Sequence, residues 1–377
     1  MIKNYLFLSL IFSVIVKSQT FFTLPQNVWR IAVIEKKGLE DWKGHDGKSG
    51  WNSSYKIKDT SYELTNKRKK DFSKRHFLIN YGLTNRLSFS MDILQVVKMQ
   101  QKDEWIIISD SSKKPIQDLL SFYYPEKRSN NGLGDLKLGL KYLLKGDPAW
   151  KNSKARFSIF TGIDYFIPFA EDQIKFDSKA LIESVPKQFF HLPLGEGIPK
   201  VRLKAFGEFY TRHKSRLINV NWALGATSAF REEINPRITF LWTEDVSLDS
   251  ISKSIGNVLF QKGLNFEAHI LGQVEIMPKR LFVSADLKWI NSLRDTYFSN
   301  SKDWNEWSRK RVNYDTRSIL VLQSVKVNFL NLDPMNYIGP YPFEVEIGAE
   351  WFVPLLSYQT FARTSLWVRF STYFQAW

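Results

Sequence analysis

Apolar and polar side chains alternate, residue by residue, in one segment of this chain after another. Leu87, Phe89, Met91 and Ile93 alternate with Ser88, Ser90 and Asp92. Leu136, Leu138, Leu140 and Tyr142 alternate with Asp135, Lys137, Gly139 and Lys141, and Val345, Ile347, Ala349 and Trp351 with Glu344, Glu346, Gly348 and Glu350. A strand points successive side chains to opposite faces, so each segment has one apolar wall and one charged wall. Twelve segments read this way, near 28–36, 75–82, 87–97, 135–144, 155–165, 200–211, 218–230, 264–277, 281–290, 317–329, 344–353 and 364–374. Most reach the roughly nine to eleven residues that a tilted strand needs to cross hydrocarbon.

The connections sort by length. Those at 83–86, 213–216 and 278–279 are tight, and those at 145–154 and 330–343 are intermediate. The stretches 37–74, 98–134, 166–199, 231–263 and 291–316 are long and polar. Short and long alternate as they do in outer-membrane barrels, whose periplasmic turns are short and external loops long. A soluble sandwich shares the dyad alternation but has no reason to sort its loops. The predicted fold is therefore all-β: a transmembrane antiparallel up-and-down β-barrel of about twelve strands, with short periplasmic turns and long external loops. Fourteen strands result if 238–242 forms half of an extra hairpin.

Lys3, the apolar run 5–16 and the small residues Val16 and Ser18 predict a cleavable secretion signal over 1–18. Residues 19–377 then form a single barrel domain exported to the outer membrane. That destination changes how the composition reads. The formal charge of +15 suggests nucleic acid in a cytosolic protein, but in an exported barrel no nucleic acid is expected. Outer-membrane lipid and lipopolysaccharide, a small-molecule solute and the barrel-assembly machinery are the expected partners. Mean hydropathy is −0.28 although 15% of residues are aromatic, because each polar wall cancels an apolar one. The chain has no cysteine, which excludes disulfides, thiolate chemistry and cysteine metal sites. Trp29, Tyr81, Tyr165, Phe230, Trp289, Phe329, Trp351, Phe374 and Trp377 fall near strand ends, where rings form interfacial girdles. Trp377 has the opposite parity to Phe374 in the last strand.

Two stretches carry a family resemblance. Asn80-Tyr81-Gly82-Leu83-Thr84-Asn85-Arg86-Leu87 is similar to a Y-G-L-T-(D/N)-R-L hairpin. Gly132-Leu133-Gly134-Asp135-Leu136-Lys137-Leu138-Gly139-Leu140-Lys141-Tyr142 is similar to a G-x-G-D-L-x-L-G-x-K-Y strand. Both motifs resemble those of the outer-membrane proteins of the meta-pathway phenol-degradation family, and more loosely the barrels that import long-chain fatty acids and aromatic hydrocarbons. Gly162 to Pro168 fits the family's following strand loosely. The resemblance implies an outer-membrane barrel that takes up apolar small molecules. It transfers no catalytic or binding residue, because the motifs are structural. Gly132 and Gly134 free the backbone where a loop re-enters the wall, and Gly139 leaves room inside for a neighbouring side chain.

Parity assigns the candidate lumen residues. Asp92, Asp164, Glu208, Glu267, Glu275, Asp286, Glu344, Glu346 and Glu350 face inward, as do Lys137, Lys141, Arg156, Arg202, Lys204, Lys288, Lys326 and Arg369, with His269 among them. The two signs nearly balance, so the basic excess is expected in loops and turns, notably Lys67, Arg68, Lys69 and Lys70. Such a lumen reads either as a hydrated pore selecting by field or as a network holding a plug. Leu78, Phe160, Phe206, Phe282 and Leu322 also face inward and favour a narrow, partly apolar conduit. An enzyme is not expected. His269 is the best base candidate, yet Ser284 lies about 13 Å away along the paired strand, against the ~3 Å that proton transfer needs. His45, His76, His191 and His213 lie in or beside loops without metal spacing, and no cofactor or metal motif is present. The expected function is passive uptake of small apolar or aromatic molecules. The alternative is a non-conducting structural or interaction barrel whose basic loops bind lipopolysaccharide or surface partners.

Overall fold

The structure, a computed structural model, describes residues 23–44, 50–57, 60–110, 112–123, 126–148, 155–170, 192–213, 216–234, 257–310, 315–331 and 342–375. The predicted secretion signal, Trp377 and segment 238–242 lie outside them. Among the described residues, sixteen strands run in chain order: β1 (Val28–Lys43), β2 (Trp51–Ile57), β3 (Thr60–Gly82), β4 (Leu87–Ile108), β5 (Lys127–Lys145), β6 (Ala155–Ile167), β7 (Lys200–His213), β8 (Arg216–Ala229), β9 (Glu232–Ile234), β10 (Val258–Gln261), β11 (Asn265–Met277), β12 (Leu281–Ser292), β13 (Thr296–Phe298), β14 (Ser318–Asn331), β15 (Phe343–Phe352) and β16 (Thr360–Gln375). Among the described residues, two short α-helices, α1 (Lys114–Tyr123) and α2 (Lys302–Lys310), sit in connections.

β1 pairs antiparallel with β16 on one side and with β3 on the other. The sheet thereby closes on itself through twelve strands: β1, β3 to β8, β11, β12 and β14 to β16. Closure leaves no bare strand edge, the one way a sheet can sit in hydrocarbon with every backbone group satisfied. β2 extends the outer part of β3 as a hairpin, and β9, β10 and β13 form a separate small sheet. All twelve strands read from the alternation are present.

The tight connections lie at the end where Val28 pairs with Gln375. In the 83–86 turn, Thr84 Oγ1 accepts from the amides of Arg86 at 3.1 Å and Leu87 at 3.0 Å. At the 278–280 turn Lys279 takes the left-handed conformation, φ 58°. The segment before β1 also turns inward here. The Leu24 amide donates to Ser88 Oγ at 2.8 Å, and Leu24 packs with Val28 and Tyr373. Gly82 makes that approach feasible, since a Cβ there would sit 1.8 Å from the Pro25 carbonyl oxygen.

The two longest predicted loops are corrected. Most of 37–74 and much of 98–134 is strand, and the basic run 67–70 lies within β3 rather than in a loop. Strands β3, β4 and β5 reach 23, 22 and 19 residues, against 10 for β15. At ~3.4 Å per residue β3 is about 75 Å long. One side of the barrel, made of β16, β1, β3, β4 and β5, therefore rises as a palisade above the rest.

The outward faces are apolar over a band: Leu203, Leu224, Ile270, Ile347 and Leu366 are all exposed, Leu366 to 66%. A continuous belt of this kind marks a lipid-facing wall. At the turn end it is rimmed by rings. Trp29 lies 4.4 Å from Tyr81 and 6.2 Å from Phe374, and Phe343 lies about 6 Å from both Phe329 and Phe370. On β1 and β3 the band ends where Glu35 and Arg75, paired with each other, face outward.

Candidate functional site

The inward faces carry a belt of ion pairs running from strand to strand. Lys137 reaches Asp92 at 2.7 Å, joining β5 to β4. Asp164 on β6 holds both Arg202 and Lys204 of β7, each at 2.6 Å. Arg202 continues to Glu267 on β11 at 3.3 Å, and Glu267 to Lys288 on β12 at 3.0 Å. Lys326 on β14 lies between Asp286, 3.8 Å away, and Glu346, 4.0 Å away. Arg369 on β16 pairs with Glu346 at 2.9 Å and with Glu344 at 2.5 Å, and Glu344 reaches Arg30 on β1 at 3.2 Å. Nearer the turn end, Arg156 pairs with Glu208 at 2.8 Å. Charges of opposite sign on neighbouring strands, at staggered positions of one face, produce this belt. Period two keeps them all inward, and the register brings them within reach.

Several residues need individual placement. Glu275 does not join the belt: it caps the 278–280 turn by accepting from the Lys279 amide and ties in β8 by accepting from the Leu217 amide. Lys141 lies between Ser88 and Gly162 in register, half-buried. Glu350 accepts from Lys36 at 2.6 Å and Ser365 at 2.9 Å, and pairs with Arg363. Gly139 has the room expected of it, because a Cβ there would meet Asp164 Oδ1 at 2.5 Å and Ser90 Oγ at 2.6 Å. Gly132, at φ 148°, sits where β4 bulges against β5.

His76 is a correction. It is not a solvated loop residue: its Nδ1 lies 3.0 Å from Asp92 Oδ1 on the inward face of β3. His45 and His191 lie outside the described residues, and His213 ends β7. His269 Nε2 lies 3.5 Å from Asp286 Oδ1, and the register pairs His269 with Lys288 but Gln273 with Ser284. Four positions thus separate base from nucleophile. Among the described residues, no group of His, Asp or Glu is placed to hold a metal ion. Arg30, Lys36 and Arg363 are inward charges that the sequence reading missed. The first two were legible, since Trp29, Ile31 and Val33 face out and period two puts 30 and 36 in.

Apolar clusters pack among the buried charges in the turn-end half of the lumen. Phe160 and Phe206 stack with centroids 5.2 Å apart, packed with Leu143, and Tyr210, Leu217, Phe282 and Leu330 form a second cluster. Nearer the loop end the described ends of the connection between β6 and β7, residues 168–170 and 192–199, fold inward. Ala170, Leu192 and Leu194 pack on Val96 and Met99 of β4, and Asn130 Nδ2 donates to the Leu192 carbonyl at 2.7 Å. Glu196 in this segment pairs with Lys262 and with Lys200, the latter at 3.1 Å. Burial pushes its carboxyl upward, but the two ammonium groups outweigh that and hold it down to about 2.

No protein-family model matches the chain, and no curated protein matches it in sequence. Solved structures do resemble it. An outer membrane channel from Pseudomonas putida F1 aligns over 95% of this chain and 100% of its own, with TM-score 0.54 and 13% identity. The translocator domain of the autotransporter NalP from Neisseria meningitidis aligns over 92% and 88%, with TM-score 0.35 and 6% identity. The CymD monoaromatic hydrocarbon channel aligns over 94% and 89%, with TM-score 0.30 and 8% identity. The last two similarities are too low to carry an argument. The first shows the fold: a closed antiparallel barrel of the outer-membrane type.

Proposed function

We propose that this chain is an outer-membrane channel through which small apolar or aromatic solutes diffuse passively, with no chemistry performed on them. The carrying observation is the sorting of side chains across one closed wall, with an exposed apolar belt outside and a charged belt inside. Phe160, Phe206, Phe282 and Leu322 interrupt the charged interior, and a path for water or ions alone gains nothing from them. The motif resemblance at 80–87 and 132–142 supports the same solute class, and the expected signal at 1–18 supports the same location. The loop end, with the palisade rising from it, forms the capture surface.

The packed turn-end clusters, with the segment 23–27 seated beside them, favour a second reading: a non-conducting barrel that binds lipopolysaccharide or surface partners. Single-channel recording in planar bilayers separates the two. Discrete conductance steps that shorten or dim on adding phenol are expected of the channel. No conductance, and no phenol-dependent uptake into liposomes, overturns it in favour of the interaction barrel.

A further inference from the structure

The inward face of the palisade carries chemistry that the ion-pair belt below it lacks. Register sets out a small lattice there. Trp367, Lys36 and Lys74 lie in one row across β16, β1 and β3; Ser365, Gly38 and Phe72 in the next; Arg363, Glu40 and Lys70 in the third. Phe361 and Trp42 pair at the top, and Arg68 lies two residues beyond Lys70 on β3. Gly38 lets the Phe72 ring lie across β1, since a Cβ there would meet Phe72 Cζ at 2.8 Å.

The charges of this face do not balance. Glu350 serves Lys36 and Arg363, and Asp103 serves Arg68 and Arg128. Glu40 is the remaining acid, and no ion pair within 4.0 Å forms to Lys70 or Lys74 among the described residues. Each ammonium rests on a ring instead: Lys70 Nζ lies 3.6 Å from the Phe361 centroid, and Lys74 Nζ 4.8 Å from that of Phe72. Such a contact holds a cation in place without neutralising it. The buried Trp42 indole N–H has no acceptor either. Two cations that share one carboxylate, Glu40, an orphan donor, the half-buried rings of Trp42 and Phe361 and the buried ring of Phe72 beneath the lysines make one surface, and it faces the lumen.

We propose that this face binds an aromatic carboxylate, the carboxylate drawing Lys70 and Lys74 together and the ring lying against Phe72, Phe361 and Trp42. Lys70 and Lys74 flank Phe72 on one face of β3, about 13 Å apart along the backbone, a gap that two long side chains close around a single anion. Lys70 stands above the apolar band, and burial lowers its pKa to about 8. It is charged at neutral pH and loses that charge on mild alkalinisation, while a benzoate-type acid stays ionised. The site deepens the channel reading by naming a solute class, and rests on it only for how the solute arrives.

The test is calorimetric titration of the full chain in detergent micelles with benzoate and with benzamide, which share a shape and differ in charge. Benzoate is expected to bind at least tenfold tighter at pH 7, and to weaken several-fold by pH 9.5. K70Q/K74Q should bring benzoate to the benzamide level, K70R/K74R should retain it, and the outward-facing pair K37Q/K69Q should change nothing. Heat-modifiable gel mobility confirms that each variant is folded. Equal binding of the two ligands to the unaltered chain overturns the site, as does full benzoate affinity in folded K70Q/K74Q. Micelle binding needs no conduction, so a silent bilayer with intact benzoate selectivity sinks the channel alone. Phenol conduction without that selectivity sinks the site alone.

Discussion

The barrel wall and the palisade that continues from it share one backbone and differ in nearly everything their side chains do. β3 and β4 stay paired from Gly82 opposite Ser88 to Glu63 opposite Ile108. Below the Glu35–Arg75 pair, Ile31, Val33, Phe77, Ile79 and Tyr81 face outward; above it the outward residues are mostly charged, with Lys37, Asp71, Lys69, Lys98 and Lys102 around Leu39. The one irregularity in the β3–β4 ladder, between Ser73 and Lys74, falls at this change. A bulge twists a strand locally and leaves its pairing otherwise intact. The lesson is that alternation records what each face touches. Lipid on one side and lumen on the other give an apolar–polar dyad pattern, whereas above the band, at 67–70, both faces take charged side chains and the alternation of polarity is lost.

The largest effect that breaks this comparison is expected inside the barrel. Glu344 is fully buried and accepts from Arg369, Arg30, Tyr373 and Asn328. Glu344→Ala leaves two buried guanidinium groups without their shared partner, which costs about 3–5 kcal/mol. The urea midpoint for refolding into vesicles reads that loss. An unchanged midpoint would show the belt to be wet and loosely held.

Next in size is a matched pair on the outer surface. Ile347 and Leu39 are both outward aliphatics, 58% and 65% exposed. Ile347 lies between Val327 and Val368, whereas Leu39 lies between Thr364 and Asp71. Ile347→Arg puts a cation in hydrocarbon and should cost about 2–4 kcal/mol, and Leu39→Arg about 0–1 kcal/mol. Equal costs for the two would mean that the apolar band is not the lipid boundary.

The same contrast explains what the sequence reveals. Residues 87–97 and 344–353 announce their strands because lipid requires Phe89, Met91, Val345 and Ile347 on one side only. Residues 67–70 hide theirs: Lys67, Arg68, Lys69 and Lys70 follow one another because above the apolar band both faces of β3 take charged side chains. The inward position of Asp164 or Glu346 follows from parity once its strand is known. Their partners do not, because parity is silent on stagger. Asp164 meets Lys204 two positions from its register partner Arg202. The inward fold of Leu192 and Leu194 had no periodic signal, since a single apolar pair in a polar loop looks like any other.

The smallest expected effect lies on the palisade's outer face. Asp71 and Lys98 are paired there with side chains about half exposed, 46% and 53%. An exposed pair of this kind gains little in high dielectric and is screened by salt. Asp71→Asn should therefore change stability by less than about 0.5 kcal/mol, and the difference should vanish in molar salt. Its size nonetheless locates a boundary. A loss of 2 kcal/mol or more would mean that Asp71 and Lys98 sit in a poorly hydrated layer. The apolar band would then extend further up β3 than the outward-facing Arg75 marks, and the lysines of the palisade would lie at the level of lipid headgroups rather than in open water.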